Sequence, residues 1–402
     1  MLYREMGKTG DKVSILGYGC MRFPKKEGRF DEARIARQVI YAIEQGVNYF
    51  DTAYIYSHSE TILGKILAKG YRDQVRLATK LPLFLVHSRG EMESILHTQL
   101  KRLQTDHIDY YLMHAINSLE GWQRLKRLGV EEFLFQAQRS GKINHIGFSY
   151  HGDRYQFKKI IDDYSWDCCL IQYNYMDEHS QAGKEGLKYA AAKGIGVVVM
   201  EPLRGGLLAS KVPPRVRELF NRAEVERTPA EWALRWVWNH PEVAVALSGM
   251  NEEAQIEENI RIAGSAYPNS LSAGELQVIS RARDLFSEKL KVNCTGCGYC
   301  MPCPAGVNIP ACFAYYNDIY IYGVKSPRNS YLGMLGGMDG GTPAYASLCR
   351  QCGHCEKHCP QGLPIRKHLK EAAREMERFY FKPAVYLARG YYNLRRLFKR
   401  AN

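Results

Sequence analysis

Eight short apolar runs alternate with amphipathic helical patterns over residues 13–247, and this alternation limits the possible folds more than any other feature of the chain. The runs are Val13 to Gly17, Val47 to Phe50, Val75 to Thr79, Ile108 to Met113, Ile143 to Phe148, Cys168 to Tyr173, Ile195 to Met200 and Val243 to Leu247. Between them, residues such as Ile35, Val39 and Ile43, or Met92, Ile95, Leu96, Leu100 and Leu103, recur at helical spacing. Eight strand–helix units predict an α/β fold of the (β/α)8 TIM-barrel class, closed and parallel, not an open doubly wound sheet. No Gly-x-Gly-x-x-Gly follows the first run, which also weighs against a dinucleotide-binding open sheet. Ahead of the barrel, Thr9-Gly10-Asp11 separates two extended runs and predicts a hairpin. A helix over Gly274 to Leu290 leads out.

A chain of 402 residues exceeds the roughly 250 that such a barrel needs, so a second module is expected. From Val292 the composition changes to Cys, Pro, Gly and Tyr, and eight of the twelve cysteines fall in two tight runs. The first is Cys294-x2-Cys297-x2-Cys300-x2-Cys303-Pro304 and the second Cys349-x2-Cys352-x2-Cys355-x3-Cys359-Pro360. Zinc favours two separated cysteine pairs. Four evenly spaced cysteines before a proline, twice over, match instead the two-cluster ferredoxin spacing, in which three thiolates hold one [4Fe-4S] cluster and the fourth reaches the other. If the module folds like such a ferredoxin, Cys294, Cys297 and Cys300 share a cluster with Cys359, and Cys349, Cys352 and Cys355 share one with Cys303. The first run is one residue short before Cys303. Between the runs lie a helical stretch, Ile309 to Tyr322, and a glycine-rich loop, Gly333 to Gly341. The other cysteines, Cys20, Cys168, Cys169 and Cys312, read as buried core thiols. The expected organisation is a barrel over residues 1–290, a mainly helical, ferredoxin-like dicluster iron–sulfur domain over 291–378 and a basic amphipathic helix over 379–402.

The net charge of +13 is concentrated at the end, where residues 365–402 hold eleven Lys/Arg against three Glu, or +8. Charge alone, without a reading motif, gives no support for nucleic-acid binding. In the final stretch Leu387, Tyr391, Leu394 and Phe398 recur at helical spacing among Arg389, Arg395, Arg396, Lys399 and Arg400. Two readings stand: a helix packed on its own domain with a solvated basic face, or a dock for an acidic electron-carrier protein or an anionic membrane surface. No leader pattern opens the chain and no apolar run reaches the roughly eighteen residues of a membrane span, so the cytoplasm is the expected compartment.

The chemistry gathers at Asn48-Tyr49-Phe50-Asp51-Thr52-Ala53-Tyr54-Ile55-Tyr56, where a short strand ends in an aspartate and a tyrosine follows at a helix start. Ser57-His58-Ser59-Glu60 fits a capping box for that helix. Lys80 follows the third run and His114 the fourth, so four polar groups come from three successive strand ends, where barrel enzymes keep their active sites. Protonating the alkoxide formed in carbonyl reduction needs an acid, and a phenol of ordinary pKa about 10 is a poor donor unless an ammonium favours its phenolate.

The motifs Asp-Thr-Ala-x-x-Tyr (Asp51, Tyr56), Thr-Lys (Lys80) and Leu-x-His (His114) resemble the catalytic tetrad of the aldo-keto reductases. That resemblance covers about Leu2 to Ser287. It implies Tyr56 as general acid, Lys80 as its pKa modifier, Asp51 as the lysine's ion partner and His114 as the donor that orients a small carbonyl or alcohol substrate. It also implies a nicotinamide coenzyme. Gly147-Phe148-Ser149-Tyr150-His151 resembles the family's Gly-x-Ser-Asn-His with tyrosine for asparagine, and Gln172 matches its glutamine; Ser149, Tyr150 and Gln172 would hold the carboxamide. Met200, in the segment with Leu203 and Gly205, replaces the usual aromatic stacking partner. Ser248, Gly249, Asn251, Glu252, Glu258 and Asn259 resemble the adenosine-phosphate motif. Glu252 stands where NADPH enzymes usually carry a base, which favours NADH because a carboxylate repels a 2′-phosphate. Flavin is the alternative cofactor. The whole resembles the iron–sulfur-containing branch of the family and implies an oxidoreductase; the rival reading is an electron-transfer module whose barrel serves as a docking scaffold.

Overall fold

The computed structural model describes residues 1–337 and 342–388 and falls into two compact units. One comprises Met1–Ser210 with Phe220–Ile279, the other Lys211–Leu219 with the chain from Ser280 onward.

The first unit opens with an antiparallel hairpin, β1 (Tyr3–Glu5) and β2 (Lys12–Ser14). The barrel strand β3 (Leu16–Gly19) follows at once. The expected run Val13 to Gly17 therefore splits. Ser14 donates its amide to Asn48 Oδ1 and its hydroxyl to Leu16 O, and these local bonds turn the chain between the two strands. A two-residue ladder, β4 (Lys25–Lys26) and β5 (Arg29–Phe30), precedes the next unit. The remaining barrel strands are β6 (Tyr49–Asp51), β7 (Arg76–Pro82), β8 (Ile108–His114), β9 (Ile143–Tyr150), β10 (Cys168–Gln172), β11 (Gly196–Met200) and β12 (Val243–Ser248). All neighbours are parallel, in the order β3-β6-β7-β8-β9-β10-β11-β12, and β12 returns to β3 with Ala246 opposite Leu16. Several strands outrun their apolar cores, so Lys80 lies inside β7, paired with Leu112, instead of following it.

Tyr49, Ala78, Tyr110, Leu112, Cys168, Leu170, Val198 and Val245 fill the barrel, joined from the hairpin by Met6 and Val13. Asp11 accepts from the Tyr110 hydroxyl at 2.7 Å and from Arg76 Nε at 3.0 Å. The closing seam is clasped from the chain's beginning. Arg4 donates to the carbonyls of Trp238, His240 and Val243, and Ile15 O accepts from the Trp238 indole at 2.8 Å and the Ala246 amide at 2.8 Å.

Three helices contribute side chains to the surroundings of the barrel mouth: α1 (Glu32–Glu44), α2 (Ser59–Leu67) and α3 (Arg89–Leu103). The capping box expected at α2 does not form. Its N-cap is His58, left-handed at φ 57° and without a side-chain cap. Ser59 donates to Cys20 O and shares a hydrogen bond with the Thr52 hydroxyl, and Glu60 is drawn inward to Thr79, Gln99 and Arg102.

In the second unit a helix spans Ile309–Tyr322 as expected, capped by Asn308 with Pro310 in its first turn. Gly333 lies in a helix, Pro327–Leu335, not in a loop; residues 338–341 of that expected loop lie outside the described residues. With Ile365–Met376 and a helix over 381–388, these enclose Phe313, Tyr331, Leu335, Leu369, Met376 and Phe381. Two buried anchors hold the chain ahead of each cysteine run. Asn317 accepts from the amides of Lys291 and Val292 and donates to Val292 O, while Tyr331 accepts from Ala346 N and donates to Glu377, which also takes Ser347 N. Cys20, Cys168, Cys169 and Cys312 are buried, as expected of core thiols. No described helix is long and apolar enough to cross a membrane. Of the expected terminal helix, Arg389, Tyr391, Leu394, Arg395, Arg396, Phe398, Lys399 and Arg400 lie outside the described residues.

Gly64 of α2 approaches α3 so closely that a Cβ there would sit 2.6 Å from Leu103 Cα. Alanine gains about 1 kcal/mol in helix propensity, but overpacking costs about 1–3 kcal/mol. Gly64→Ala should therefore lower the urea midpoint. An unchanged or higher midpoint would mean that α2 shifts freely.

Candidate active site

The carboxyl ends of β6, β7 and β8 bring four side chains together. Lys80 Nζ lies 2.6 Å from Asp51 Oδ1 and 2.7 Å from Thr52 O, and Lys80 and Asp51 are 1% and 4% exposed. The ammonium stands 5.0 Å from the centre of the Tyr56 ring, whose edge meets His114 with ring centres 6.0 Å apart. Asp51 Oδ2 and His114 Nδ1 are buried without a hydrogen-bond partner among the described residues.

Burial pulls the Lys80 ammonium down, but Asp51 and Tyr56 outweigh it and hold its pKa above the usual value. Burial pushes the Tyr56 phenol up, and Lys80 pulls in the opposite direction. His114 is held well below its usual value by burial, with Lys80 and His151 adding to the effect, and so stays neutral.

A buried network lies behind Lys80. Glu60, 1% exposed, accepts from Thr79 at 2.7 Å, Gln99 at 2.9 Å and Arg102 at 3.0 Å. Gln99 also donates to Lys80 O at 3.0 Å and accepts from the Tyr111 hydroxyl, while Arg102 donates to Tyr54 O and stacks over the Tyr54 ring. The lysine's strand and the tyrosine's loop are thus tied to one carboxylate. Its signal was in the sequence: Glu60, Leu63 and Leu67 share one helical stripe, and a charge on an apolar stripe must find partners inside.

The expected coenzyme residues fare unevenly. Ser149 Oγ accepts from Ala115 N at 2.8 Å, fixing the turn after His114, and its hydroxyl proton remains for a ligand. Gln172 is engaged at both ends of its amide, donating to Asp177 and accepting from Gln181. Tyr150 is a correction. Its side chain lies in the layer between sheet and helices, against Phe148 and Phe157, with its hydroxyl donated to Asp153 O, so it offers no polar atom to the mouth. The mechanism is strand alternation: Ser149 faces inward, so Tyr150 cannot. Met200 ends β11 and packs against the barrel core. Beyond it Glu201, at φ 57°, lies 3.6 Å from Arg22, and Arg204 lies 3.4 Å from Asp177. Leu203 leads into Gly205 and Gly206, both at positive φ, and a Cβ on Gly205 would sit 3.3 Å from the Arg22 guanidinium. Both guanidiniums here are already paired with carboxylates, Arg22 with Glu201 and Arg204 with Asp177, and Arg22 lies beside the side-chain-free backbone of Gly205. Asn259 donates to Ser248 at 3.0 Å, Glu258 accepts from Thr228 at 2.6 Å, the Asn251 carbonyl accepts from Gln38, and Gly249 is exposed. Glu252 is bound to Arg34 of α1 at 2.6 Å, and Glu253 pairs with the same guanidinium. Arg34 had no local signal, because its partners lie more than two hundred residues away.

In the second unit Cys294, Cys297, Cys300 and Cys359 line one cavity, walled by Ile309, Phe313 and Ile365. Burial pushes the Cys355 thiol up, and Glu356, Cys349 and Cys303 add to that. The amides of Gly296 and Gln351 point at Cys294 Sγ and Cys349 Sγ. Soft thiolates from both runs, apolar walls and amides aimed at sulfur fit an iron–sulfur cluster.

The profile described as "Aldo/keto reductase family" matches residues 15–270, and that described as "4Fe-4S dicluster domain" matches residues 293–363. The chain is 29% identical over 315 residues to "Uncharacterized oxidoreductase YrpG" of Bacillus subtilis, an alignment spanning 65% of this chain and 90% of that protein. To "Probable aldo-keto reductase 1" of Glycine max it is 28% identical, over 69% of this chain and 88% of the relative. Among solved structures, the holo form of aldo-keto reductase AKR11C1 from Bacillus halodurans superposes with a TM-score of 0.58 at 26% identity, covering 70% of this chain and 96% of that one.

A neutral, half-buried His114 makes stability depend on pH. Unfolded, it takes a proton below about pH 6.5; folded, it does not until well below that. The unfolded state thus binds more protons there, and stability falls as pH drops through this window. His114→Gln should flatten the loss of thermal stability between about pH 6.5 and pH 5. Equal slopes in both proteins would mean that folded His114 does take up the proton.

Proposed function

The chain belongs to the aldo/keto reductase family and carries a 4Fe-4S dicluster domain, and we propose that its barrel interconverts a small carbonyl compound and its alcohol at Asp51, Tyr56, Lys80 and His114. The observation that carries this reading is the buried Lys80 ammonium, 2.6 Å from Asp51 and 5.0 Å from the Tyr56 ring centre. In reduction, a bound reduced nicotinamide would supply the hydride. Tyr56 gives its phenolic proton to the carbonyl oxygen, and the adjacent ammonium stabilises the phenolate left behind. Asp51 keeps Lys80 charged in a buried site. Neutral His114 has one N–H to offer the carbonyl oxygen and orients it.

Ser149 would hold the carboxamide, and Gln172 would do so after releasing Gln181 or Asp177. Arg22, Arg204, Gly205 and Gly206 suit the phosphates. At the adenosine end two carboxylates, Glu252 and Glu253, share one guanidinium of Arg34, and that local excess of negative charge supports NADH over NADPH, whose 2′-phosphate carries about −2. The clusters would move single electrons to or from a partner, with Cys359 serving the first run and Cys303 the second, a crossing supported by the shared cavity of Cys294, Cys297, Cys300 and Cys359.

Tyr56→Phe should lower carbonyl reduction by about 100-fold or more while leaving nucleotide titrations and iron content unchanged, with NADH bound at least as tightly as NADPH in both proteins. Wild-type turnover in the variant would reject Tyr56 as the acid, and a clear NADPH preference would reject the charge argument.

For the clusters, iron and sulfide should each come to about eight per chain, two [4Fe-4S] sets. Cys359→Ser should alter the EPR signal of the cluster on the first run. Four of each, or a change confined to the second run's cluster, would overturn the crossed ligation.

A further inference from the structure

The end of the second unit presents a surface that neither the barrel chemistry nor the cysteine runs use. In helix 381–388, Phe381 and Val385 are buried, whereas Tyr386 and Leu387 are 74% and 75% exposed and Phe379, just before it, is 93% exposed. Pro383 and Leu387 stand one turn apart on the face opposite Phe381 and Val385, and Lys382 and Tyr386 one turn apart on its flank. With Tyr380, four large apolar side chains lie exposed within nine residues. Single exposed apolar residues need no explanation, but four so close together in the chain do.

Leu387 is also the first member of the stripe Leu387, Tyr391, Leu394, Phe398. Leu387 itself faces solvent. After Glu375 and Glu377 the sequence turns basic: residues 378–402 contain seven Lys/Arg and no Asp or Glu, and Arg378 and Lys382 are exposed. An acidic protein would satisfy the cations but gives no reason for Phe379 and Leu387 to stand so far out of the protein.

We propose that this face docks on an anionic lipid bilayer surface. Phe379 and Leu387 enter the acyl boundary, Tyr380 and Tyr386 sit at the level of the headgroups with their hydroxyls in water, and Arg378 and Lys382 meet lipid phosphates.

The full-length, cluster-loaded protein is sedimented with vesicles of phosphatidylcholine alone and with vesicles that also contain phosphatidylglycerol, at low and high salt. It should bind the anionic vesicles, more weakly at high salt, and leave the neutral ones. The double variant Phe379→Ser/Leu387→Ser, with unchanged iron content, should lower the partition coefficient by about tenfold. Undiminished binding by the double variant would overturn the proposal, since charge alone would then suffice. Failure to bind anionic vesicles would overturn it too, as would salt-sensitive retention on an immobilised acidic electron carrier in place of vesicle binding.

Discussion

The buried ion pair of Lys80 and Asp51 is the interaction on which the mouth of the barrel depends. An ammonium taken out of water is tolerable only with close, well-directed acceptors, and removing one partner from such a pair leaves an uncompensated charge. Here the acceptors are Asp51 Oδ1 and Thr52 O, both at the end of β6, so the lysine of β7 pins its neighbouring strand end. Glu60 adds a second layer: through Gln99 it reaches the carbonyl of Lys80, and through Arg102 it reaches the loop that presents Tyr56. The reacting groups are therefore held by buried polar contacts from α2 and α3 and not by loop conformation alone.

How far this was legible varied with the range of the interaction. Strand positions could be read because each barrel strand is an apolar run bounded by turn signals, and the helix Ile309–Tyr322 because Asn308 and Pro310 mark its start. Strand ends were less legible: β7 continues through Lys80 to Pro82 only because β8 offers Leu112, Met113 and His114 as partners. The spacing of Ser57 to Glu60 suggests a cap, but the Glu60 carboxylate is claimed by groups 19, 39 and 42 residues ahead. No local pattern encodes that competition. Tyr150 illustrates a different limit. A family motif places it with the coenzyme, yet period-2 alternation after inward Ser149 sends its ring to the helix layer.

The two cysteine runs are positioned by the same device used twice. A buried polar side chain on a helix takes backbone amides just ahead of each run: Asn317 for Lys291 and Val292, the Tyr331–Glu377 pair for Ala346 and Ser347. Each satisfies amides that a sheet or helix would otherwise have to satisfy, and so allows irregular, cysteine-bearing chain to be held in one place.

A closed barrel has one junction that no helix crosses, and here it is sealed by the chain's beginning. Arg4 and Ile15 bind carbonyls, an indole and an amide between residues 238 and 246, and β3 pairs with β12. During synthesis at about 5–20 residues per second, the first strand must wait many seconds for the last to leave the ribosome. Through that interval Leu16 to Gly19 have no sheet partner on one side, whereas the hairpin just ahead of them, Tyr3 to Glu5 paired with Lys12 to Ser14, is complete from the outset. The hairpin is thus finished early, while the strand that follows it waits longest, for the neighbour that is made last.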